Sequence, residues 1–326
     1  MSVTSGPRRP GLEGDIVKAR RVEWIAIAYL FSTIATLILV MSGSLALKSE
    51  FVGDALSLIA PVLFLIGDRV SLWKPTERYP FGFERAVSAG YLGAALALFA
   101  TGTYLLGDAA LKLAYREHPA IGGMSVFGHI VWIGWLAIPT LLWSSVPAFF
   151  LGRAKERLAR KINDKVLLAD AQTSSADWQS AGAAILGILG VAWGFWWADA
   201  VAALFISLEI VRAAAIEVWT ALGDIIDRRP QVLGSKELDP LPETMTEFLK
   251  SQAWIRDAVV RVRERGREFA VDATIVPRAD TPILDQMESV SKAAGDLDDR
   301  MRDLTLTLVR EIPAEIDRVR ADQPES

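Results

Sequence analysis

The sequence predicts a multi-pass membrane protein in which a bundle of six transmembrane helices is followed by a small α+β domain. Hydrophobic residues make up 52% of the 326 residues. They are concentrated before residue 226, whereas the remainder of the chain is polar and charged. Six apolar segments have the length of roughly 20 residues that an α-helix needs to cross a bilayer. Acidic residues inside two of these segments indicate a polar pathway through the membrane.

The six predicted spans are residues 23–43, 46–67, 88–111, 126–150, 165–191 and 197–222. The second and the fifth are the least hydrophobic and carry the acidic residues, as expected for helices that face a polar pathway instead of lipid. The segment up to Gly14 is basic and rich in Pro and Gly, without the apolar core of a cleaved signal peptide. We therefore expect a cytoplasmic N-terminal tail over residues 1–20 and a transmembrane domain over residues 21–226.

Loop charges predict the orientation of the bundle. Lys and Arg cluster in the N-terminal tail and in the predicted loops 68–87 and 151–165, and few lie in the loops on the other side. The positive-inside rule then puts both termini in the cytoplasm. Trp193, Trp196 and Trp197, between the last two spans, fit an aromatic belt at the outer interface. A bacterial inner membrane is the expected location.

The pattern changes after Arg228-Arg229-Pro230 to that of a soluble domain. Alternating apolar residues predict strands, and amphipathic stretches predict helices, in the order αββαβ. The predicted elements are helix 241–252, strands 258–263 and 268–276, helix 281–302 and strand 304–309. Such an order favours a sheet with helices on one face. The expected boundaries are a linker over 227–240, the α+β domain over 241–315 and a polar tail over 316–326.

Composition excludes several classes of function. The chain has no Cys, which excludes disulfides and thiolate metal sites. Its net charge of −4 gives no reason to expect nucleic acid binding. Phosphate-loop, nucleophile–base and zinc-hydrolase motifs are absent from the sequence, so an enzyme is not expected. Transport of an organic cation is disfavoured, because no aromatic cage accompanies the acidic residues.

Glu50, Asp54 and Asp177 lie within predicted spans, where an ionisable group usually marks an ion pathway. Glu50 and Asp54 are four residues apart, so a helix puts them on one face, and Thr173 and Asp177 share a face in the same way. If the two helices are antiparallel neighbours, each pair spans about 6 Å and four oxygen-bearing side chains can close around one ion. The alternatives are structural pairing of the acids and a Thr173 hydroxyl bonded to its own helix backbone. Asp170 is expected at the helix start or in a vestibule.

Several segments in this order resemble the cation diffusion facilitator family over nearly the whole chain. They are Ser44-Leu-Ala-Leu-Lys-Ser-Glu50 to Asp54, Arg78-Tyr-Pro-Phe-Gly-Phe-Glu-Arg85, Ala169-Asp170 to Asp177, Asp199, and Gly223-Asp-Ile-Ile-Asp227. The resemblance implies a homodimer with a ferredoxin-like cytoplasmic domain that exports a divalent metal cation in exchange for protons. It implies a transport site at Glu50, Asp54, Thr173 and Asp177. It also implies a charge interlock between Arg85 and Asp227 at the helix ends.

The chain departs from the zinc-type members of that family at Thr173, where they typically carry His. Three carboxylates and a hydroxyl are hard ligands, whereas zinc prefers nitrogen and sulfur. The sequence therefore favours Mn²⁺ or Fe²⁺ as the transported ion, with Zn²⁺ and Mg²⁺ as alternatives, and no permanently bound cofactor. Because the site has no His, a carboxylate has to bind the proton that is exchanged for the metal ion. The alternative function is a transport-inactive, membrane-anchored dimeric scaffold or metal sensor.

Overall fold

The computed structural model describes two compact units, one made of residues 14–222 and the other of the N-terminal residues up to 13 together with 223–326. The described residues are 2–4, 10–40, 51, 53–116, 123–126, 129–132, 134–195, 197–235, 237–278, 284–295 and 297–321. The first unit is mostly helical, and the second contains the larger sheet.

Long helices make up most of the first unit. They are α1 (Pro10–Val40), α2 (Ile59–Ser71), α3 (Ala86–Ala114), α4 (Gly134–Ile162), α5 (Lys165–Ala192) and α6 (Ala198–Ile225). Residues 53–57 are helical and lead into α2 through Leu58, which has right-handed helical dihedral angles. Within the described residues, two helices are long and apolar enough to cross a membrane, over Glu13–Leu39 and Ala86–Ala114. The count of six spans stays a prediction.

The region between α3 and α5 corrects the predicted fourth span, 126–150. A hairpin of β2 (Gly123–Val126) and β3 (His129–Trp132) precedes the helix, so His129 lies in a strand. The helix itself begins at Gly134 and continues to Ile162, through most of the predicted loop 151–165. The physical reason is that Ala, Leu, Arg, Lys and Glu fill the end of α4, and all are strong helix formers. Charge in this stretch therefore marks a polar helix end and not a loop.

Small residues allow the helices of this unit to pack closely. A Cβ atom on Gly102 of α3 would lie 2.8 Å from Ile210 Cγ2 of α6, and one on Gly152 of α4 would lie 3.2 Å from Ser174 Cβ of α5. Close approach at small residues is the usual way in which membrane helices associate. A buried cluster made of Leu98, Ala176, Ile210 and Ala214 joins α3, α5 and α6.

The second unit has a four-stranded sheet in the order β1-β6-β5-β4. Its elements are β1 (Ser2–Thr4), α7 (Leu241–Lys250), β4 (Ile255–Arg265), β5 (Glu268–Pro277), α8 (Leu284–Gly295), β6 (Met301–Leu308) and α9 (Ala314–Ala321). β5 is antiparallel to β4 and parallel to β6, and β1 is antiparallel to β6. From α7 to β6 the elements follow the expected order αββαβ, to which the structure adds the edge strand β1. The ferredoxin-like classification stays a prediction.

Arg300 fastens the start of α7 to the turn before β6 in this unit. Its guanidinium lies 2.7 Å from Asp239 Oδ2 and 2.6 Å from Asp298 Oδ2, and it stacks over the Phe269 ring. Burial opposes ionisation of Asp298, but the hydrogen bonds and charge of Arg300 outweigh it and lower the pKa of that carboxyl below its usual value. Asp239 is buried, so the pair anchors the end of the linker on the α+β fold.

Gly102→Val tests the close contact of α3 with α6. Because the added side chain meets Ile210 and the backbone of Val211, we expect a loss of about 1–3 kcal/mol in the free energy of unfolding. Gly107→Val on the same helix is the matched control, since a Cβ there meets nothing within 4 Å. Denaturant unfolding of the detergent-solubilised protein measures both variants. Equal stability of the two would contradict the packing described here.

Candidate functional site

Asp54 and Asp177 are brought near each other by a contact between the helical segment 53–57 and α5. The hydroxyl of Ser57 donates a hydrogen bond of 2.7 Å to Asp177 Oδ1. Ser57 follows Asp54 by three residues, so the two share a helix face. Asp54 is 2% exposed and Asp177 is 8% exposed. The structure therefore brings together the two acids that the sequence predicts on separate spans.

The electrostatics of this pair favour a bound cation. The carboxylates of Asp54 and Asp177 are close enough to interact with each other. Asp54 Oδ2 is buried and has no hydrogen-bond partner among the described residues. A buried ionised group without a partner costs several kcal/mol, and a second negative charge nearby adds repulsion. A cation between the two carboxylates would relieve both costs.

Thr173 lies one turn before Asp177 on α5 and is also buried. Its Oγ1 donates a hydrogen bond of 3.2 Å to the Ala169 carbonyl, as the alternative interpretation of this residue predicts. The hydroxyl oxygen keeps lone pairs that can accept a cation, so ligation by Thr173 stays a prediction. Glu50 lies outside the described residues. Among the residues that are described, no group of three or more His, Cys, Asp or Glu forms a metal cluster.

Three further polar side chains near the pair were missed by the sequence analysis. Ser57 is one, and its position three residues after Asp54 is the signal that could have identified it. The other two lie on α1, where Thr33 is within reach of Asp54 and Tyr29 interacts with both carboxylates. The Tyr29 hydroxyl donates hydrogen bonds to main-chain carbonyls of α4. Tyr29 and Thr33 are four residues apart, so they lie on one face of α1.

A second buried polar cluster joins α1, α4 and α5. Lys155 Nζ lies 2.6 Å from Asp170 Oδ2, 3.3 Å from Glu23 Oε2 and 3.5 Å from Ser174 Oγ. Lys155 and Asp170 are each 1% exposed, and Glu23 is 0% exposed. Asp170, expected at a helix start or in a vestibule, is thus placed in a buried ion pair. The sequence analysis missed Lys155 because it assigned that stretch to a loop, and it did not consider Glu23, the first residue of the first predicted span.

A further hydrogen bond, donated by the uncharged side chain of Gln172, joins α5 to α6. Gln172 Nε2 donates a hydrogen bond of 3.1 Å to Glu217 Oε1 of α6, and the Tyr91 hydroxyl of α3 donates to Glu217 Oε2. Contacts through Asp170, Gln172 and Asp177 therefore tie α5 to the other helices of the unit. The positions of Thr173 and Asp177 in the candidate site therefore depend on the placement of α5.

The predicted interlock between Arg85 and Asp227 stays a prediction. Arg85 immediately precedes α3. Asp227 belongs to the second unit, where its carboxylate lies 3.6 Å from Arg263 Nη1. Asp227 also has a positive φ of 60°, which is uncommon for a residue other than Gly and places it at a turn after α6.

Sequence comparison matches this chain to one family model and to several known proteins. Residues 24–226 match the family model described as the cation efflux transmembrane domain. The manganese efflux system protein MneS of Bacillus subtilis is 24% identical over 281 residues, which cover 86% of this chain and 88% of that protein. The magnetosome protein MamB of Magnetospira sp. is 24% identical over 283 residues, with coverage of 86% and 85%. An uncharacterized transporter of Methanocaldococcus jannaschii is 23% identical over 222 residues, with coverage of 68% and 70%.

Lys155→Met tests the buried cluster. The substitution leaves the Glu23 and Asp170 carboxylates without their shared ammonium, so we expect a loss of about 3–5 kcal/mol in the free energy of unfolding. The matched control is Arg160→Met on the same helix, because Arg160 forms an exposed pair with Glu156 at 3.0 Å that contributes about 1 kcal/mol or less. Thermal unfolding in detergent compares the two variants. A Lys155→Met protein as stable as the control would show that the cluster does not hold the helices together.

Proposed function

This chain belongs to the cation efflux family, and from that premise we propose that it exports a divalent metal cation from the cytoplasm in exchange for protons. It is a membrane transporter and not an enzyme. The observation that carries the proposal is the buried pair of Asp54 and Asp177, in which one Asp54 oxygen has no hydrogen-bond partner among the described residues. We propose that Glu50 and Thr173 complete an oxygen-rich site between the second and fifth helices.

The proposed substrate is Mn²⁺ or Fe²⁺. The donors of the proposed site are carboxylates and a hydroxyl, which are hard ligands suited to manganese and similar ions. Zinc favours tetrahedral sites with nitrogen and sulfur donors, which these residues do not offer. The similarity to a protein named for manganese efflux supports this choice.

Proton exchange follows from the chemistry of the same acids. Two carboxylates in one buried site cannot both remain ionised at low cost without a counter-cation. In the proposed cycle the empty site holds a proton on a carboxyl, and a divalent cation that binds Asp54 and Asp177 displaces it. The proton leaves on one side of the membrane and another is taken up when the metal is released on the other side.

The remaining features of the proposal concern assembly and orientation. We propose a homodimer, associated through a ferredoxin-like second unit, with both termini in the cytoplasm of a bacterial cell and the helices in its inner membrane. The excess of Lys and Arg in the predicted cytoplasmic segments supports the orientation.

Asp54→Asn and Asp177→Asn should each reduce Mn²⁺ uptake to the background of empty vesicles. The amide keeps the shape of the side chain but removes the charge that binds the ion. The measurement is uptake of Mn²⁺, Fe²⁺, Zn²⁺ and Mg²⁺ into proteoliposomes under an imposed pH gradient. Asp108→Asn is the control, because Asp108 is paired with Lys112 on α3 and should retain uptake. A folded wild-type protein that moves none of these ions would overturn the transport proposal and favour a scaffold or sensor.

Thr173→His should change the selectivity of the site towards zinc. An imidazole nitrogen beside the carboxylates of Asp54 and Asp177 introduces a donor that zinc prefers. We expect the ratio of Zn²⁺ to Mn²⁺ uptake to rise by about tenfold, which corresponds to about 1.4 kcal/mol. Thr173→Ser keeps the hydroxyl and should keep the wild-type ratio. The same ratio in all three proteins would indicate that residue 173 does not contact the ion.

A further inference from the structure

The charges of the cluster formed by Glu23, Lys155 and Asp170 do not balance. Two carboxylates face one ammonium, and all three side chains are almost completely buried. With both acids ionised, the cluster carries a net charge of −1 among side chains that have almost no exposed surface. An uncompensated buried charge is costly, and proteins usually remove it with a counter-ion or a proton.

Glu23 is the less closely paired of the two acids in the cluster. Lys155 Nζ is 2.6 Å from Asp170 but 3.3 Å from Glu23, without hydrogen-bond geometry at Glu23. Neither oxygen of the ionised Glu23 has a hydrogen-bond donor among the described residues. The Asp170 carboxylate shares the same ammonium, with its Oδ2 at 2.6 Å from Lys155 Nζ. Two ionised carboxylates repel each other at one shared cation, whereas a protonated Glu23 removes that repulsion.

The other charged groups nearby do not supply the missing compensation. Lys155 on α4 and Asp170 on α5 are the charged groups, among the described residues, that interact electrostatically with Glu23. On α1 itself, Arg20 lies one turn earlier, and its Nε is paired at 2.5 Å with Asp68 of α2. A proton on Glu23 is therefore the simplest way to neutralise the cluster.

The cluster is electrically linked to the candidate metal site. Asp177 interacts with Lys155 and Asp170 as well as with Asp54. Asp170 and Asp177 are seven residues apart on α5, about 10 Å along the helix axis. In a medium of low polarity, charges at this separation still influence each other. A cation bound at Asp54 and Asp177 therefore makes it less favourable for the cluster to keep a proton.

We propose that Glu23 is a second proton-exchanging carboxylate of the transport cycle, an inference that rests on the proposed metal–proton exchange. The Glu23 carboxyl holds a proton while the metal site is empty. When a divalent cation binds at Asp54 and Asp177, the O–H bond of Glu23 breaks and the proton passes to water, so the cluster gains a negative charge as the metal site gains positive charge. The proton returns when the cation leaves. Lys155 and Asp170 act as positioning residues that hold Glu23 in place.

Glu23→Gln is the direct test, because the amide resembles the protonated acid and cannot exchange a proton. The number of protons released per Mn²⁺ bound is measured near neutral pH by titration calorimetry of the full chain in buffers with different ionisation enthalpies. We expect the variant to bind Mn²⁺ and to release about one proton fewer than the wild type. The control is Glu209→Gln on α6, which changes an exposed acid 4.0 Å from Arg212 and should leave the proton count unchanged. A Glu23→Gln protein with the wild-type count would overturn the inference.

A second measurement tests the inference even if the Glu23→Gln protein does not fold. Infrared spectroscopy of the metal-free protein carrying Glu50→Gln, Asp54→Asn and Asp177→Asn should still detect a protonated carboxyl near neutral pH, because Glu23 remains. Absence of that band would overturn the inference. If the wild type binds no Mn²⁺ at all, the proposed metal transport fails, and the absence of the infrared band would separately show that Glu23 holds no proton.

Discussion

The cost of burying ionised carboxylates among apolar helices governs the arrangement of the first unit. Four acids of this unit are less than a tenth exposed: Asp54, Asp177, Asp170 and Glu23. Each lies beside another charged or polar group. Asp170 has an ammonium and Asp177 has a hydroxyl donor. Asp54 and Glu23 keep buried oxygens without donors among the described residues. At these two acids a bound metal ion or proton would offset the cost of burying the charge.

Helix α5 connects the two acidic clusters. Asp170 lies near its start and faces Lys155, while Asp177 lies two turns further on and faces Ser57. Gln172, between them, fastens the helix to Glu217 of α6. A shift of α5 would change the surroundings of both carboxylates at the same time. One helix thus provides a physical route by which metal binding at one level affects proton binding at another, without a separate signalling element.

The sequence predicted the acids in the middle of spans better than the charges at helix ends. Asp54 and Asp177 stand out because each interrupts an apolar segment, and two neighbouring acid-bearing spans were enough to expect both in one site. Lys155 could not be identified in this way, since a Lys in a basic stretch is typical of a cytoplasmic loop and its burial depends on how far α4 continues. The pairing of β2 with β3 was likewise not predicted, because the apolar residues of this region resemble the start of a transmembrane span. Burial and contacts across helices depend on packing, which no local pattern reports.

The central claim is that a divalent cation binds through oxygen donors of Asp54 and Asp177. The most direct measurement is X-ray absorption spectroscopy at the manganese edge of the purified protein loaded with one equivalent of Mn²⁺. The account predicts a first shell of oxygen atoms only, which changes when Asp54 and Asp177 are both replaced by Asn. A first shell with the multiple-scattering signature of imidazole, or a spectrum that the double substitution leaves unchanged, would contradict it.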